Sequence, residues 1–169
     1  EAMTGGKNTV LFDDMGMPSV MVPFPKMKIV EIMSGGSQNI HPAFSVGGVE
    51  KDVLYVSKFQ NIVLNDRAYS LPMRDPKVYV TFDQALTFCR NKGKGWSLNP
   101  YSLWSAIALW CRKNGTMPRG NNFWGKDYTY QHENGVPCAW ESKEAESHPG
   151  EPARCLTAVS YTHLTLPTI

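Results

Sequence analysis

Two consecutive helices, each with its own start and stop signals, constrain the fold of this chain more than any other feature. In the first helix, Thr81 and Gln84 have capping-box spacing, in which each side chain accepts a hydrogen bond from the other residue's backbone N–H. Gly93 supplies the C-terminal stop. Apolar residues recur at the helical period between these signals, and the predicted buried face consists of Phe82, Ala85, Leu86 and Cys89.

The second helix is predicted to begin at Asn99 as N-cap, with Pro100 at the first helical position, where a missing N–H costs nothing. Asn114-Gly115 ends it. Its predicted inner stripe consists of Leu103, Trp104, Ile107, Ala108 and Cys111. Both helices therefore have one face to bury, and they require a sheet or another helix to cover it.

The residues before the helices contain short extended segments separated by turn signals. Gly47-Gly48 predicts a hairpin turn, followed by a strand-like alternation through residues 53–58. Pro23 and Pro25 are expected to break the run "VMVPFPKMKIVEI" into two pieces, because proline cannot sit in a central strand. The stretch "NDRAYSLPMRDP" is predicted to be an irregular connection. Strands followed by two helices predict an α+β domain, with two helices packed on small antiparallel sheets.

The length of 169 residues suits one domain that buries roughly two thirds of its unfolded surface. Residues 1–19 are interpreted as a lead-in segment, residues 20–157 as the domain and residues 158–169 as a tail. Within the domain, residues 121–152 show little regular pattern, with one hairpin predicted near the middle. So long an irregular stretch indicates a functional surface or a part of the fold that the pattern does not resolve.

Charge and hydropathy exclude two classes of partner. The net charge is +2 with mixed signs, and no cluster of Lys and Arg suggests a nucleic-acid-binding face. No apolar run reaches the ~18 residues that a membrane-spanning helix needs. We therefore expect neither nucleic acid nor a membrane span.

The four cysteines are far apart and form no C-x-x-C pair, so no structural metal site is expected. Cys89 and Cys111 fit buried free thiols. Cys138 and Cys155 flank a polar stretch, and they either remain free or close a loop as a disulfide. The cysteine pattern is compatible with both an oxidising and a reducing compartment.

The sequence resembles the variable proteins of diversity-generating retroelements over about residues 18–140. The resemblance rests on "VTFDQALTFCRNKGKGWSLNPYSLWSAIALWCRKNGTMPRGNNFWGKDY", on "HPAF" and on "LYVSKFQNIVLNDRAYSLP", and it is most specific over residues 93–120. Those proteins have a C-type lectin fold of the formylglycine-generating-enzyme (sulfatase-modifying factor) type. In that family the second helix starts with a Thr cap and a Glu three residues later, whereas Asn99 and Ser102 stand here.

The resemblance implies a non-catalytic ligand- or receptor-binding scaffold, from a phage tail or a bacterial cell surface, that a retroelement diversifies. It implies no cofactor and no metal. The implied partner is a host-cell surface receptor or another protein or glycan ligand, and a homotrimer is allowed. The main binding surface is expected beyond Ala158, because the family displays it near the C-terminus.

Aromatic residues among polar neighbours are the candidate binding residues within the chain, since such side chains anchor partners at low entropic cost. The alternative is that they pack loops onto the scaffold. The candidates are Trp124, Tyr128, Tyr130 and Trp140. Trp96, Trp104 and Trp110 are instead predicted to belong to the core, and His41 is expected to have no chemical role.

The tail resembles a translated sequencing adapter rather than the family. Val159 to Thr168 matches the conceptual translation of a common transposase adapter. On this interpretation, residues 158–169 are non-native and the lectin-like domain is truncated at its C-terminus. The alternative is a true strand, because Tyr, Thr, Leu and Ile favour sheets.

Two other functions remain alternatives. A formylglycine-generating-type oxidoreductase acting on a protein cysteine would carry reactive cysteines late in the chain among Arg and Gly, and Cys138 and Cys155 lack these surroundings. A structural virion domain would need no receptor. The chain also lacks a Gly-x-Ser-x-Gly nucleophile elbow and the Glu-Pro-Asn motif of calcium-dependent lectins, and no catalytic residue is assigned.

Overall fold

The computed structural model describes residues 7–74 and 76–117, Thr129, His132, and the backbone of residues 137–139 and 154–155. The predicted α+β class is confirmed, because these residues form helices and small antiparallel sheets. The chain divides into two compact units. The first unit contains residues 22–56 and 99–117, and the second contains residues 10–21 and 57–98.

The largest sheet has the strand order β1-β2-β5, with β1 at Thr9–Phe12, β2 at Pro18–Pro25 and β5 at Val53–Ser57. The prediction that Pro23 and Pro25 break this region was wrong, since both lie in the central strand. Lys26 N donates to Asp52 O at 2.7 Å, on the β5 side. Alternate residues face opposite edges, so both proline nitrogens face the β1 side. The four-residue β1 does not reach them there, so within the described residues the prolines cost the sheet no ladder hydrogen bond.

The predicted Gly47-Gly48 hairpin is confirmed. Strands β3 (Ser45–Val46) and β4 (Val49–Glu50) pair antiparallel around these two glycines. Gly47 has φ 58° and Gly48 has φ 77°, the left-handed conformation that a tight two-residue turn requires. The hairpin is shorter than the sequence suggested, because β5 pairs with β2 instead.

In the first unit, a short helix α1 (Ile29–Ile32) and a 3-10 turn (Pro42–Phe44) pack against the long helix α3 (Tyr101–Lys113). The rings of Phe24 and Phe44 stack with their centroids 6.0 Å apart. These elements enclose an apolar core that includes Met27, Ile32, Ala43, Leu103, Ala106, Ile107 and Cys111.

Helix α3 departs from the sequence prediction at its start and on its buried face. Pro100 is the N-cap, and it has no side-chain capping bond, so the assignment of Asn99 as N-cap was wrong. The extended conformation of Pro100 (ψ 153°) delays the helix by one residue. Trp104 is 49% exposed, and Ala106 is buried in its place. The buried face is therefore displaced from the predicted stripe, and Ala108, which was predicted to belong to it, is half-buried.

The second unit contains a hairpin that the sequence analysis missed. Strands β6 (Ile62–Leu64) and β7 (Arg67–Tyr69) pair antiparallel where an irregular connection was predicted. Asn65 (φ 50°) and Asp66 (φ 54°) form the two-residue turn in the left-handed region. Asn and Asp tolerate that region better than other non-glycine residues, so the turn can form without glycine.

Helix α2 (Phe82–Arg90) packs against β7. Its predicted capping box is confirmed: Gln84 N donates to Thr81 Oγ1 at 3.3 Å, and Thr81 N donates to Gln84 Oε1 at 3.0 Å. Ala85 is buried as predicted, but Phe82 is 69% exposed. Phe82 occupies the first helical position, and the more C-terminal residues of α2 supply its packed face instead.

Strands β8 (Pro137–Ala139) and β9 (Arg154–Cys155) pair antiparallel, with Pro137 opposite Cys155. The side chains of Cys138 and Cys155, and the whole of residues 158–169, lie outside the described residues. None of the described helices is long and apolar enough to cross a membrane.

Candidate functional site

Asp13 is the centre of a buried polar cluster in the second unit. Its Oδ1 accepts from the backbone N–H groups of Met15 at 3.0 Å and Met17 at 2.8 Å. Its Oδ2 accepts from the Tyr69 hydroxyl at 2.5 Å and from the Arg67 guanidinium at 3.2 Å. The Asp13 side chain has no exposed area, so every hydrogen bond it makes replaces one lost to water.

These contacts determine the protonation states of Asp13 and Tyr69. Burial alone would raise the pKa of Asp13, but the hydrogen bonds from Tyr69, from the two backbone amides and from Arg67 together lower it to about 2. Burial and the hydrogen bond to the Asp13 carboxylate raise the pKa of Tyr69 to about 12. Asp13 is therefore a stable anion and Tyr69 a stable donor over the ordinary pH range.

Lys92 is a buried cation beside this cluster, with 3% of its surface exposed. Its Nζ donates to Ser19 Oγ at 2.7 Å. The same Nζ lies 3.3 Å from the ring centroid of Trp96 and 4.9 Å from that of Tyr69, within the range of a cation–π interaction. Burial lowers the pKa of Lys92 to about 8, although the Asp13 carboxylate opposes the shift.

Local backbone geometry brings Lys92 and the Asp13 turn together. Asp14 N donates to Lys92 O at 3.2 Å. Gly93 follows with φ 105°, and a Cβ at that position would lie 3.0 Å from Asp14 Oδ2. The glycine predicted as a helix stop therefore also permits the close approach of the turn.

A serine and a lysine at hydrogen-bond distance can form a nucleophile and its base. Ser19 is fully buried, however, and a substrate cannot reach its hydroxyl while this packing persists. The same holds for Asp13, whose oxygens are occupied by four donors. The cluster is therefore suited to holding three distant chain segments together.

A cleft beside strand β6 is the second feature of this unit. It consists of two adjoining hollows of about 350 Å³ and 410 Å³ that share Val63 and residues 76–79. We call it the β6 cleft. Its volume is in the range of ligand pockets. Apolar side chains form most of its wall: Val63, Ala68, Pro76, Val78, Val80, Ala85 and Phe88.

Cys89 also lines the β6 cleft, and its thiol is half-buried, whereas Cys111 is fully buried; neither of these two cysteines is in a disulfide. Burial raises the pKa of Cys89, against the opposing influence of Lys92. A thiol reacts as its thiolate, so this environment is the opposite of an activated nucleophile. The prediction of a buried free thiol is confirmed for Cys111 and only in part for Cys89.

His41 has a structural contact, since its Nδ1 accepts from Ala43 N at 3.2 Å at the start of the 3-10 turn. Burial lowers its pKa, which favours the neutral ring that this acceptor role needs. Among the described residues, no group of three or more His, Cys, Asp or Glu side chains could hold a metal ion.

The four aromatic candidates, Trp124, Tyr128, Tyr130 and Trp140, lie outside the described residues. Of the tryptophans predicted for the core, Trp96 and Trp110 are half-buried, and Trp96 contacts Lys92. No sequence pattern had pointed to Asp13, Ser19 or Lys92 as members of a cluster. The one local signal for Lys92 was its position. It directly precedes Gly93, the predicted helix stop, and Trp96 follows shortly after.

No protein-family model matches this chain, and no curated protein matches it.

Proposed function

We propose that this chain is a non-catalytic ligand- or receptor-binding scaffold with a C-type lectin-like fold of the formylglycine-generating-enzyme type. On this proposal it belongs to a phage tail or a bacterial surface adhesin that a retroelement diversifies. The resemblance over residues 93–120 supplies the family, and the mixed helices and small antiparallel sheets are compatible with it.

The observation that supports the proposal is that the buried polar groups are engaged in contacts with one another. Lys92, Ser19 and Asp13 are the described groups best placed for acid–base or nucleophilic work, and all three are buried in contacts with one another's segments. Ion pairs and cation–π contacts of this kind hold a frame in place. A rigid frame is what a protein needs when it presents a variable surface for recognition.

The proposed partner is a host-cell surface receptor or another protein or glycan ligand, bound without turnover. The binding residues would come from the aromatic-rich part of the chain after residue 120 and from the family's C-terminal surface. A homotrimer is the assembly that the proposal allows.

The source DNA tests the proposal. We expect the reading frame beyond the codon for Thr157 to encode the end of a lectin fold, beside an adenine-biased template repeat and a reverse transcriptase gene. A pair of late cysteines in an Arg- and Gly-rich context would overturn it in favour of the oxidoreductase. A frame that continues through the present residues 158–169 in unassembled reads would overturn the adapter interpretation.

A further inference from the structure

Strand β6 has one edge on β7 and a second, outer edge. In the β6–β7 hairpin, Leu64 is opposite Arg67, Val63 is opposite Ala68, and a two-residue turn joins them. The pair next to such a turn exchanges hydrogen bonds, and hydrogen-bonded and non-hydrogen-bonded pairs alternate along the ladder. The N–H and C=O of Val63 therefore point away from β7.

An independent contact supports this orientation. Asn61 has the same parity as Val63, so its carbonyl should also point to the outer edge. Asn61 O does accept a hydrogen bond from Lys77 N, at 2.9 Å, from the segment that runs along this edge. Neither the N–H nor the C=O of Val63 has a hydrogen-bond partner among the described residues.

The β6 cleft lies beside these two open groups. Its hollow of about 410 Å³ is bounded on one side by Ile62, Val63 and Leu64, and on the other by Arg74 and residues 76–79. The adjoining hollow of about 350 Å³ continues to Ala85 and Phe88 of helix α2. An open strand edge thus adjoins an apolar recess large enough for side chains.

The described charged side chains that line the cleft are both basic. Arg74 and Lys77 line its outer part, and no acidic side chain is among its described lining residues. A ligand that reaches the recess therefore meets two cations at the entrance and apolar surface behind them.

We infer that the β6 cleft binds an extended peptide segment of a partner protein, which adds as a strand to the outer edge of β6. Its backbone hydrogen-bonds to Val63, an apolar side chain enters the recess, and a neighbouring carboxylate meets Arg74 or Lys77. Backbone pairing provides the affinity in such complexes, and the side-chain pocket provides the specificity. The inference does not depend on the proposed function, since an enzyme could use the same edge.

The test uses the full chain and immobilised octapeptides in which valine, isoleucine, leucine or phenylalanine alternates with aspartate, glutamate, serine or threonine. Val63→Pro removes the outward N–H and also changes the side chain in the cleft wall, and proline is tolerated where a strand's N–H faces away from its neighbour. Val63→Thr is the matched control, because it keeps both the N–H and the branched side chain. Lys77→Gln tests the charge contribution.

We expect some library members to bind the wild type and Val63→Thr alike, and to bind Val63→Pro at least tenfold more weakly. A copy of a binding peptide that is N-methylated at its central residue should lose the same affinity. Lys77→Gln should weaken aspartate- and glutamate-containing peptides but not the serine and threonine ones.

Amide exchange on the wild type keeps the inference testable if Val63→Pro does not fold. A bound peptide should slow exchange of the Val63 amide and leave the Leu64 amide, already paired with β7, unchanged. The inference is overturned if no library member binds at about 1 mM, or if binding survives both N-methylation and Val63→Pro.

Discussion

Lys92 is held by one hydroxyl and two aromatic faces, with almost no access to water. The charged groups near it are few: the Asp13 carboxylate favours its protonated form, and the Cys89 thiol lies close enough to influence it. Burial outweighs both and lowers its pKa. Keeping Lys92 protonated at neutral pH therefore destabilises the folded state.

The lowered pKa of Lys92 predicts that the free energy of unfolding depends on pH. The folded pKa of Lys92 is about 8, and the ordinary value is 10.5, so between these values the unfolded chain binds more protons than the folded one. The free energy of unfolding should therefore rise with pH, by about 2 kcal/mol between pH 8 and 10. Urea denaturation at several pH values measures it.

Lys92→Met is the reference for that experiment, because it fills a similar volume and cannot titrate. Tyr69 and Cys89 have raised pKa values and lower the stability at alkaline pH in both proteins. The difference between the two pH profiles therefore isolates Lys92. Parallel profiles would show that Lys92 does not titrate in this range.

At the scale of the element, features that depend on neighbouring residues were predictable, and features that depend on distant segments were not. Thr81 and Gln84 are three residues apart, so their sequence spacing alone specified the capping box. Trp104 was misplaced because helical periodicity defines a face but not how much of it a neighbour covers. Pro23 was misjudged because its tolerance depends on where another strand, β1, ends.

The two helix starts predict opposite results for the same kind of substitution. Thr81→Ala should destabilise the protein by about 1 kcal/mol, because it removes a capping hydrogen bond. Asn99→Ala should cost little or should stabilise, because Asn99 Oδ1 is buried and has no hydrogen-bond partner in the described part of the chain. Chemical denaturation compares them, and an equal loss in both variants would contradict the assignment of the caps.

The end of α2 allows a similar matched pair. Gly93 and Gly95 both have positive φ, 105° and 95°, so alanine strains the backbone at either position. Only at Gly93 does the added Cβ meet a neighbour, Asp14, while nothing lies within 4 Å of Gly95.

Gly93→Ala should therefore lower the melting temperature more than Gly95→Ala. The extra loss should become smaller in the Asp14→Ala background, because the contacts with Oδ2 and Cγ are then gone and only the Cβ of residue 14, at 3.2 Å, remains. If the extra loss were undiminished there, the Asp14 carboxylate would not be its source.

At the scale of the whole molecule, the second unit is assembled from segments far apart in sequence. Tyr69 is 56 residues from Asp13, and Lys92 is 73 residues from Ser19. No local pattern encodes such pairs, so residues 1–19 were interpreted as a lead-in, although residues 9–12 form a strand and Asp13 anchors a unit. The α+β class was predictable because it depends on local elements.

Acid should loosen this unit. The pKa of Asp13 is about 2 in the folded chain against 3.8 ordinarily, so its stabilising contribution is present above pH 4 and is lost as the pH falls through 2. The contribution is about 2 kcal/mol. Asp13→Asn should remove that part of the acid dependence and lower the stability at pH 7, as followed by tryptophan fluorescence.

Asp14→Asn is the control, because that carboxylate also pairs with Arg67 but is 53% exposed. Exposed ion pairs contribute little, so its loss at pH 7 should stay below about 1 kcal/mol. Equal losses in the two variants would mean that the buried geometry of Asp13 has no special weight.

The distance between Ser19 and Lys92 also has a consequence for synthesis on the ribosome. At about 5–20 residues per second, Lys92 is added roughly 4–15 s after Ser19. During that interval the nascent chain contains Ser19 without its amine, and until residue 69 has been made the Asp13 turn also lacks its Arg67 and Tyr69 donors. The second unit therefore cannot close before residue 92 has been made, and its earliest-made residues are without their partners for the longest time.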